Sequence, residues 1–197
     1  MASVLTLRSL RPNRAWRPFG CRGFLEIMNP FQEVKVQRYI LPKVINCSPK
    51  EVYDVVAEVS KYHEFIPYCE DSFVNVRDPV TTKPKVAGLK VGFKQYDEKF
   101  VCNIHCEVDG EDVHVVTAES ISHHLFDVLN SKWTIRPHPT RKNASSVELR
   151  LKFKFKSRIY NSVSSLFAKS VTEIVMDALA RRVYHLKKAS SLEKSKI

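Results

Sequence analysis

Three patterns of apolar spacing divide the chain into a short helix, a run of strands and a long closing helix. Over residues 52–59, valines recur with the spacing of one helical face. Ser48, Pro49 and Glu51 stand where an N-cap, a first helical residue and a capping box require them. Pro67 must end any helix just before it, because a proline disfavours helical backbone in the preceding residue. We therefore predict a short helix that stops in a cluster of large apolar rings.

After Cys69 the apolar residues recur with a period of two. Residues 147–156 alternate without interruption, with apolar side chains on one face and charged ones on the other, which is typical of a half-buried antiparallel strand. Asp109 and Gly110 supply a hairpin turn. The same period, with β-rich composition, predicts strands near residues 34–45, 72–77, 86–96, 100–108, 113–118, 125–135 and 147–156.

The helical spacing returns near the end of the chain. Residues 157–187 contain no proline or glycine, and their apolar positions recur at helical intervals. One long helix after a run of antiparallel strands predicts an α+β domain, in which a curved antiparallel sheet of about seven strands surrounds the helix. Such a sheet need not touch the helix everywhere, so an apolar cavity can remain between them.

The net charge of +11 is concentrated at the two ends of the chain. Five arginines and no acidic residues lie in 1–25, a composition typical of a mitochondrial transit peptide; a disordered basic arm, or less readily a nucleic-acid-binding arm, is the alternative. We predict an N-terminal extension over 1–30, a folded domain over 31–188 and a basic flexible tail over 189–197.

Residues 26–180 carry a net charge of only about +1, which argues against a broad nucleic-acid surface on the folded domain. The basic C-terminal end instead suits an anionic membrane surface, with Arg181, Arg182, Lys187 and Lys188 as the contacts. The sequence has no apolar window of the roughly 18 residues that a membrane span needs.

The segment from Tyr53 to Cys69 resembles the mitochondrial coenzyme Q-binding proteins of the polyketide cyclase/START-like superfamily. Weaker likenesses are Asn29-Pro-Phe31, the stretch from Leu125 to Trp133, and a final helix with Val171 and Arg181-Arg182. The resemblance covers roughly residues 29–187. The sequence departs from the pattern at Tyr68, where the family usually has tryptophan.

This resemblance implies a seven-stranded helix-grip fold with ubiquinone bound in the cavity. It also implies a peripheral position on the matrix side of the mitochondrial inner membrane. The family supports respiration and ubiquinone biosynthesis as a lipid chaperone without an established reaction, so no catalytic cofactor is expected. Respiratory-chain or ubiquinone-biosynthesis proteins are the further partners that it suggests.

A quinone with a long isoprenoid tail requires apolar walls and a few polar contacts. Trp133 is the strongest single candidate for the head group, because its indole offers a large face and one N–H donor. Each residue alone is more simply explained by core packing. The candidate wall residues are Phe65, Ile66, Tyr68, Phe93, Phe100, Ile104, Leu129, Trp133, Leu151, Phe153, Val171 and Val175.

The remaining chemical groups indicate neither a metal site nor catalysis. On a strand, Cys102 and Cys106 would lie about 13 Å apart, at about 3.3 Å per residue, and His105 would face away from both. No phosphate loop, nucleophile elbow or inward carboxylate pair is evident. Two other functions remain open: a cyclase-like enzyme acting on a quinone precursor, and a ribosome-associated regulator, which would need a basic surface on the domain.

Overall fold

The computed structural model describes residues 36–194 apart from 94, 95, 111 and 123, without the side chains of 93, 96, 158–170 and 194. The predictions for residues 1–30 lie outside this range. In chain order the elements are β1 (Gln37–Ile45), α1 (Pro49–Ala57), a 3₁₀ helix (Val59–Glu64), β2 (Cys69–Arg77), β3 (Pro84–Phe93), β4 (Tyr96–Asp109), β5 (Val113–Ser120), β6 (Phe126–Pro137), β7 (Ser145–Phe155) and α2 (Arg158–Lys194).

All seven strands form one antiparallel sheet in the order β1-β7-β6-β5-β4-β3-β2. The predicted fold class is therefore confirmed. The predicted strand 86–96 is wrong at its end, because β3 stops at Phe93 and β4 begins at Tyr96, directly opposite it. The sequence there, Lys94-Gln95, contains none of the glycine, proline or asparagine residues that mark a turn.

Local hydrogen bonds fix the start of α1. The Glu51 backbone N–H donates to Ser48 Oγ over 3.3 Å, and Glu51 Oε2 accepts from the Ser48 backbone N–H over 2.7 Å. This is the predicted capping box. The helix ends at Ala57, and a 3₁₀ helix follows it to Glu64, where the sequence predicted one helix to residue 59. Ser72 Oγ joins that 3₁₀ helix to β2 by donating to the Ser60 carbonyl over 2.9 Å.

The second half of α2 packs on the concave face of the sheet through one stripe of side chains. Thr172, Met176, Leu179 and Val183 are buried at the spacing of a single helical face. The helix does not end near Lys187 as predicted. It continues to Lys194, so the predicted flexible tail is helical over residues 189–194, where no proline or glycine interrupts it.

Register shifts bend the sheet at two places. They lie between Cys69 and Arg77 where β2 pairs with β3, and between Phe126 and Val128 where β6 pairs with β7. Irregularities of this kind increase local twist and bend the strand that carries them. They fall near the ends of the sheet, which can then curve around α2.

His114 is the buried polar side chain that anchors α1 on β5. Its imidazole is 7% exposed and stacks on the Tyr53 ring, with centroids 4.6 Å apart. Neither ring nitrogen has a hydrogen-bond partner. Burial lowers the pKa of His114, although Asp112 and Asp54 oppose the shift. Burial of the imidazole therefore favours its neutral form, and protonation at low pH would weaken the packing of α1 on β5.

We expect His114→Phe to make the folded domain less sensitive to acid. The pKa of His114 is lower in the folded state than in the unfolded state, where it is about 6.5. The neutral imidazole therefore stabilises the folded state fully above pH 6.5, and this stabilisation is lost as the pH falls below that value. The midpoint of thermal unfolding should therefore decrease less between pH 7.5 and pH 5.5 in the variant than in the wild type. His105→Gln, which changes an exposed histidine, is the control. Equal pH dependence in all three proteins would contradict this account.

Candidate ligand-binding site

The concave face of the sheet carries a second group of apolar side chains beside the main core. Buried Leu125, Phe126 and Phe153 form its centre. Half-buried residues surround them, and these include Phe100 and Phe155. We use the name aromatic cluster for the five rings of this region, which are those of Tyr39, Phe100, Phe126, Phe153 and Phe155.

The five rings form a continuous chain across four strands. Phe126 stacks on Phe155, with centroids 4.6 Å apart, and Phe100 meets Phe126 edge-on at 5.3 Å. Phe153 meets Phe155 edge-on at 5.4 Å, and Tyr39 stacks on Phe153 at 6.0 Å. These separations lie in the range of favourable aromatic pairs. The concave face therefore offers several ring faces close together.

Strand register explains why these rings meet. Phe126 of β6 lies opposite Phe155 of β7, and Leu129 lies opposite Phe153. Residues two apart on one strand share a face of the sheet, so Phe153 and Phe155 both contribute to the concave side at this end. The adjoining loop places Leu125 there, because its carbonyl accepts a hydrogen bond from the Lys156 backbone N–H over 2.9 Å.

The structure distributes the predicted wall residues over three regions. Phe100, Leu129, Leu151 and Phe153 belong to the region of the aromatic cluster. Ile104 and Trp133 are buried in the main core. Phe65, Ile66 and Val175 meet at the corner between the 3₁₀ helix and α2. The side chain of Phe93 lies outside the described part of the chain.

Two predicted wall residues are exposed in the structure, so contact between their side chains and a ligand stays a prediction. Tyr68 is 50% exposed and has a φ of 65°, in the turn that leads into β2. Val171 is 44% exposed, because the buried stripe of α2 runs through its neighbour Thr172. Successive residues of a helix point in directions about 100° apart, so a one-residue error in the stripe moves a side chain off the packed face.

Trp133 lies in the main core of the domain and not in the half-buried aromatic cluster. Its side chain is 6% exposed, and its β6 position lies between Val116 of β5 and Leu149 of β7, both of which are buried. Contact between its indole and a head group stays a prediction. The packing favours the aromatic cluster as the place where a ring could be received.

Sequence reasoning missed three rings of this cluster as site residues: Tyr39, Phe126 and Phe155. Phe155 continues the alternating pattern of residues 147–156, and that pattern was a sufficient signal for an inward side chain. Phe126 is the first residue of β6. Tyr39 belongs to β1, whose pairing with β7 brings it next to the cluster, and periodicity along one strand cannot show which strand lies beside it.

Burial keeps the interior thiols protonated. It raises the pKa of Cys102 to about 12 and that of Cys69 to about 11, and it also raises the pKa of Cys106. A thiol becomes a strong nucleophile or metal ligand only as thiolate. Among the described residues, no group of three or more His, Cys, Asp or Glu side chains could hold a metal ion. His105 is exposed on the face opposite buried Cys102 and half-buried Cys106 of β4.

The corner at the end of the 3₁₀ helix is fastened to α2 by Arg182. This side chain pairs with Glu64, and its guanidinium carbon lies 5.5 Å from the centroid of the Phe65 ring. Phe65 in turn meets Tyr62 edge-on, with centroids 5.6 Å apart. Tyr62 is held by a 2.6 Å hydrogen bond that its hydroxyl donates to the Val56 carbonyl.

These contacts change the prediction for the basic end of α2. Arg182 is engaged with Glu64, and Lys187 Nζ donates to the Asn46 carbonyl over 2.9 Å. Both side chains therefore have partners within the protein, and their contact with a membrane surface stays a prediction. Arg181 and Lys188 are exposed. No helix in the described part of the chain is long and apolar enough to cross a membrane.

An open cleft of about 320 Å³ lies between α1, the 3₁₀ helix and the C-terminal half of α2. Its walls combine apolar residues such as Val55 and Leu186 with charged ones, including Glu58, and Arg77 pairs with Glu58. A surface of this mixed character suits an isoprenoid tail less well than the concave face of the sheet.

We expect Arg182→Gln to loosen the corner and Arg181→Gln to leave it unchanged. The first substitution removes both the ion pair with Glu64 and the cation–π contact with Phe65, because Arg182 is the cation in each. Limited proteolysis around residues 60–70 should be several-fold faster in the Arg182 variant, with a lower unfolding temperature. Equal protease resistance in the two single variants would refute the fastening role.

Comparisons with known proteins agree with this architecture. The profile of the family described as "Polyketide cyclase / dehydrase and lipid transport" matches residues 45–180, and the chain belongs to that family. A START superfamily protein from Mycobacterium smegmatis has a TM-score of 0.64 at 15% identity, over 76% of this chain and 98% of its own.

Two relatives are more specific. A mitochondrial coenzyme Q-binding protein from Saccharomyces cerevisiae is 57% identical over 88% of this chain and 84% of its own length. One from Eremothecium gossypii is 54% identical over 79% of this chain and 76% of its own. Within the larger family, the chain therefore belongs with the mitochondrial coenzyme Q-binding proteins.

Proposed function

We propose that this protein binds ubiquinone on the concave face of its sheet and acts as a carrier or chaperone for it. The observation that carries the proposal is the aromatic cluster, a group of ring faces that is incompletely covered although it lies on the inner side of the sheet. The names of the two relatives support the choice of ligand, because both are called coenzyme Q-binding proteins.

The chemistry of ubiquinone matches the two apolar regions of the concave face. A quinone ring gains from stacked and edge-on contact with aromatic side chains, and the rings of Phe100 and Phe155 are half-buried at this end. An isoprenoid tail needs only an apolar path, and Leu129 and Leu151 continue the surface beside the rings. The head group would lie at the aromatic cluster, with the tail along these leucines.

The polar groups nearby support binding rather than catalysis. Tyr39 Oη donates to Gln37 Oε1 over 2.9 Å, and the Gln37 side-chain amide has N–H groups that are the kind of donor a quinone carbonyl accepts from. The described thiols of the interior are held in the protonated form. A cyclase would need an acid or base directed at the ligand, and the aromatic cluster contains one titratable side chain, Tyr39, whose hydroxyl is held by Gln37.

The cellular setting of the proposal is the mitochondrion. Both relatives carry that location in their names, and the arginine-rich segment before residue 25 has the composition of a transit peptide. A ubiquinone carrier would exchange its ligand with the inner membrane from the matrix side. Its role would be to support respiratory electron transport and ubiquinone biosynthesis.

Replacing two rings of the cluster by leucine tests the proposed head-group site. In Phe126→Leu/Phe155→Leu the surface stays apolar but loses the stacked pair. Since each aromatic contact contributes about 0.5–1.5 kcal/mol beyond its burial, ubiquinone affinity should fall about tenfold. Titration of the purified full-length protein with ubiquinone, followed by equilibrium binding, measures the change.

The control is Ile135→Val, which removes one methylene from a fully buried residue of the main core. This substitution costs about 1 kcal/mol of folding stability without touching the cluster, so ubiquinone affinity should be unchanged. If both variants lost ubiquinone affinity equally, the loss would be explained by reduced folding stability and not by the missing rings. Unchanged affinity in the double variant would remove the cluster from the binding site.

A further inference from the structure

The outer face of β1, β7 and β6 is rich in lysine and arginine, although the net charge of residues 26–180 is only about +1. Outward-pointing side chains of these strands alternate with the buried ones, and many are cationic. We define the outer cationic face by Arg38, Lys132, Arg136, Arg150 and Lys152, all of which are exposed. Two carboxylates lie within these strands: Glu148 pairs with Arg150 over 2.6 Å, and Asp127 pairs with Lys154 over 3.2 Å.

Strand pairing places like charges directly opposite each other on this face. Arg38 of β1 is the cross-strand partner of Lys152, and Lys132 of β6 is the partner of Arg150. Directly opposite side chains in antiparallel strands are about 5 Å apart at Cβ, and like charges there destabilise the sheet. The two pairs occupy adjacent positions on the same face, so four cations share one small area in which the Glu148 carboxylate offsets the charge of one of them, Arg150.

Two aliphatic side chains stand on the same face. Ile40, which is 64% exposed, lies directly opposite Arg150, and Val44 is also exposed further along β1. None of the outward-pointing residues of these three strands is aromatic. A single-stranded nucleic acid is usually held by ring stacking as well as by positive charge, and this face offers only the charge.

We propose that the outer cationic face docks the protein on an anionic phospholipid bilayer. Lipid phosphates would relieve the repulsion between the two like-charged pairs, while Ile40 and Val44 reach the boundary between head groups and acyl chains. The inference is independent of which lipid occupies the concave face. It assigns membrane docking to the sheet rather than to the basic end of α2, where Arg182 and Lys187 are already engaged.

The test compares two pairs of substitutions with equal charge changes in the full-length protein. Lys132→Gln/Lys152→Gln removes one cation from each like-charged pair, whereas Arg181→Gln/Lys188→Gln removes two exposed cations from α2. Co-sedimentation uses vesicles of phosphatidylcholine mixed with phosphatidylglycerol, and vesicles of phosphatidylcholine alone. Since each basic residue near an anionic membrane contributes about 1 kcal/mol, the loss of two should weaken binding of the first variant to the mixed vesicles about thirtyfold, and the second should bind them nearly as the wild type does.

Thermal unfolding without lipid separates lost docking from lost folding. Because Lys132→Gln/Lys152→Gln relieves repulsion in the free protein, its unfolding temperature should equal or exceed that of the wild type. A lower temperature would contradict the repulsion on which the proposal depends. Ile40→Ser should also weaken vesicle binding, and it changes no charge.

Three results would overturn the proposal. The first is unchanged vesicle binding by the Lys132/Lys152 variant. The second is an equal or larger loss in the Arg181/Lys188 variant, which would return the membrane contact to α2. The third is loss of binding to an RNA homopolymer with vesicle binding retained, which would assign the face to nucleic acid. Ubiquinone affinity, measured in the same variants, should stay at the wild-type value, so failure of the docking proposal leaves the ligand proposal untouched.

Discussion

The contact between one stripe of α2 and the concave face of the sheet is the constraint on which the rest of the structure depends. Met176, Leu179 and Val183 are almost completely buried there. Burying each of these large side chains is worth about 1.5–3 kcal/mol. The stripe fixes the rotation of the helix, and with it the side chains that face solvent and those that face the interior.

This contact leaves the interior unevenly filled. The main core, where α1 also packs, contains residues such as Ile135 and Val56 that have no exposed surface. At the aromatic cluster several rings are only half-buried, although they lie on the same concave face. Because a protein rarely leaves contiguous aromatic surface uncovered without a use for it, this end is where a lipid with an aromatic head group fits best.

The alternation of the strands has a second consequence on the outside of the sheet. Side chains two residues apart share one face, so charges that cancel in the sum can still be separated in space. The near-neutral total for residues 26–180 therefore does not show where the charges lie. Some of the acidic groups are near α1 and the 3₁₀ helix, where Asp54 pairs with a lysine and Glu58 with an arginine. Meanwhile β1, β6 and β7 present lysines and arginines together.

Local patterns predicted the elements well, and relations between elements much less well. The alternation of residues 147–156 and the capping box at Ser48 depend on nearest neighbours in sequence, and both appear as predicted. The rotation of α2, which leaves Val171 exposed, depends on the shape of the sheet beneath it. The position of Trp133 likewise depends on neighbouring strands. Its large ring suggested a ligand contact, but residues of β5 and β7 enclose it in the core.

The engagement of Arg182 and Lys187 could not be predicted for a related reason. Their partners, Glu64 and the Asn46 carbonyl, are more than one hundred residues away in the chain. A basic run at the end of a helix therefore has the same sequence whether it meets a membrane or the protein's own surface. Only the folded structure distinguishes the two.

The most direct test of the central claim is to identify the lipid that the protein carries. The full-length protein would be purified without detergent from a host that makes ubiquinone, extracted with organic solvent and examined by mass spectrometry. The account predicts ubiquinone, at a lower yield from the Phe126→Leu/Phe155→Leu variant than from Ile135→Val. Recovery of phospholipid or sterol without any quinone would contradict it.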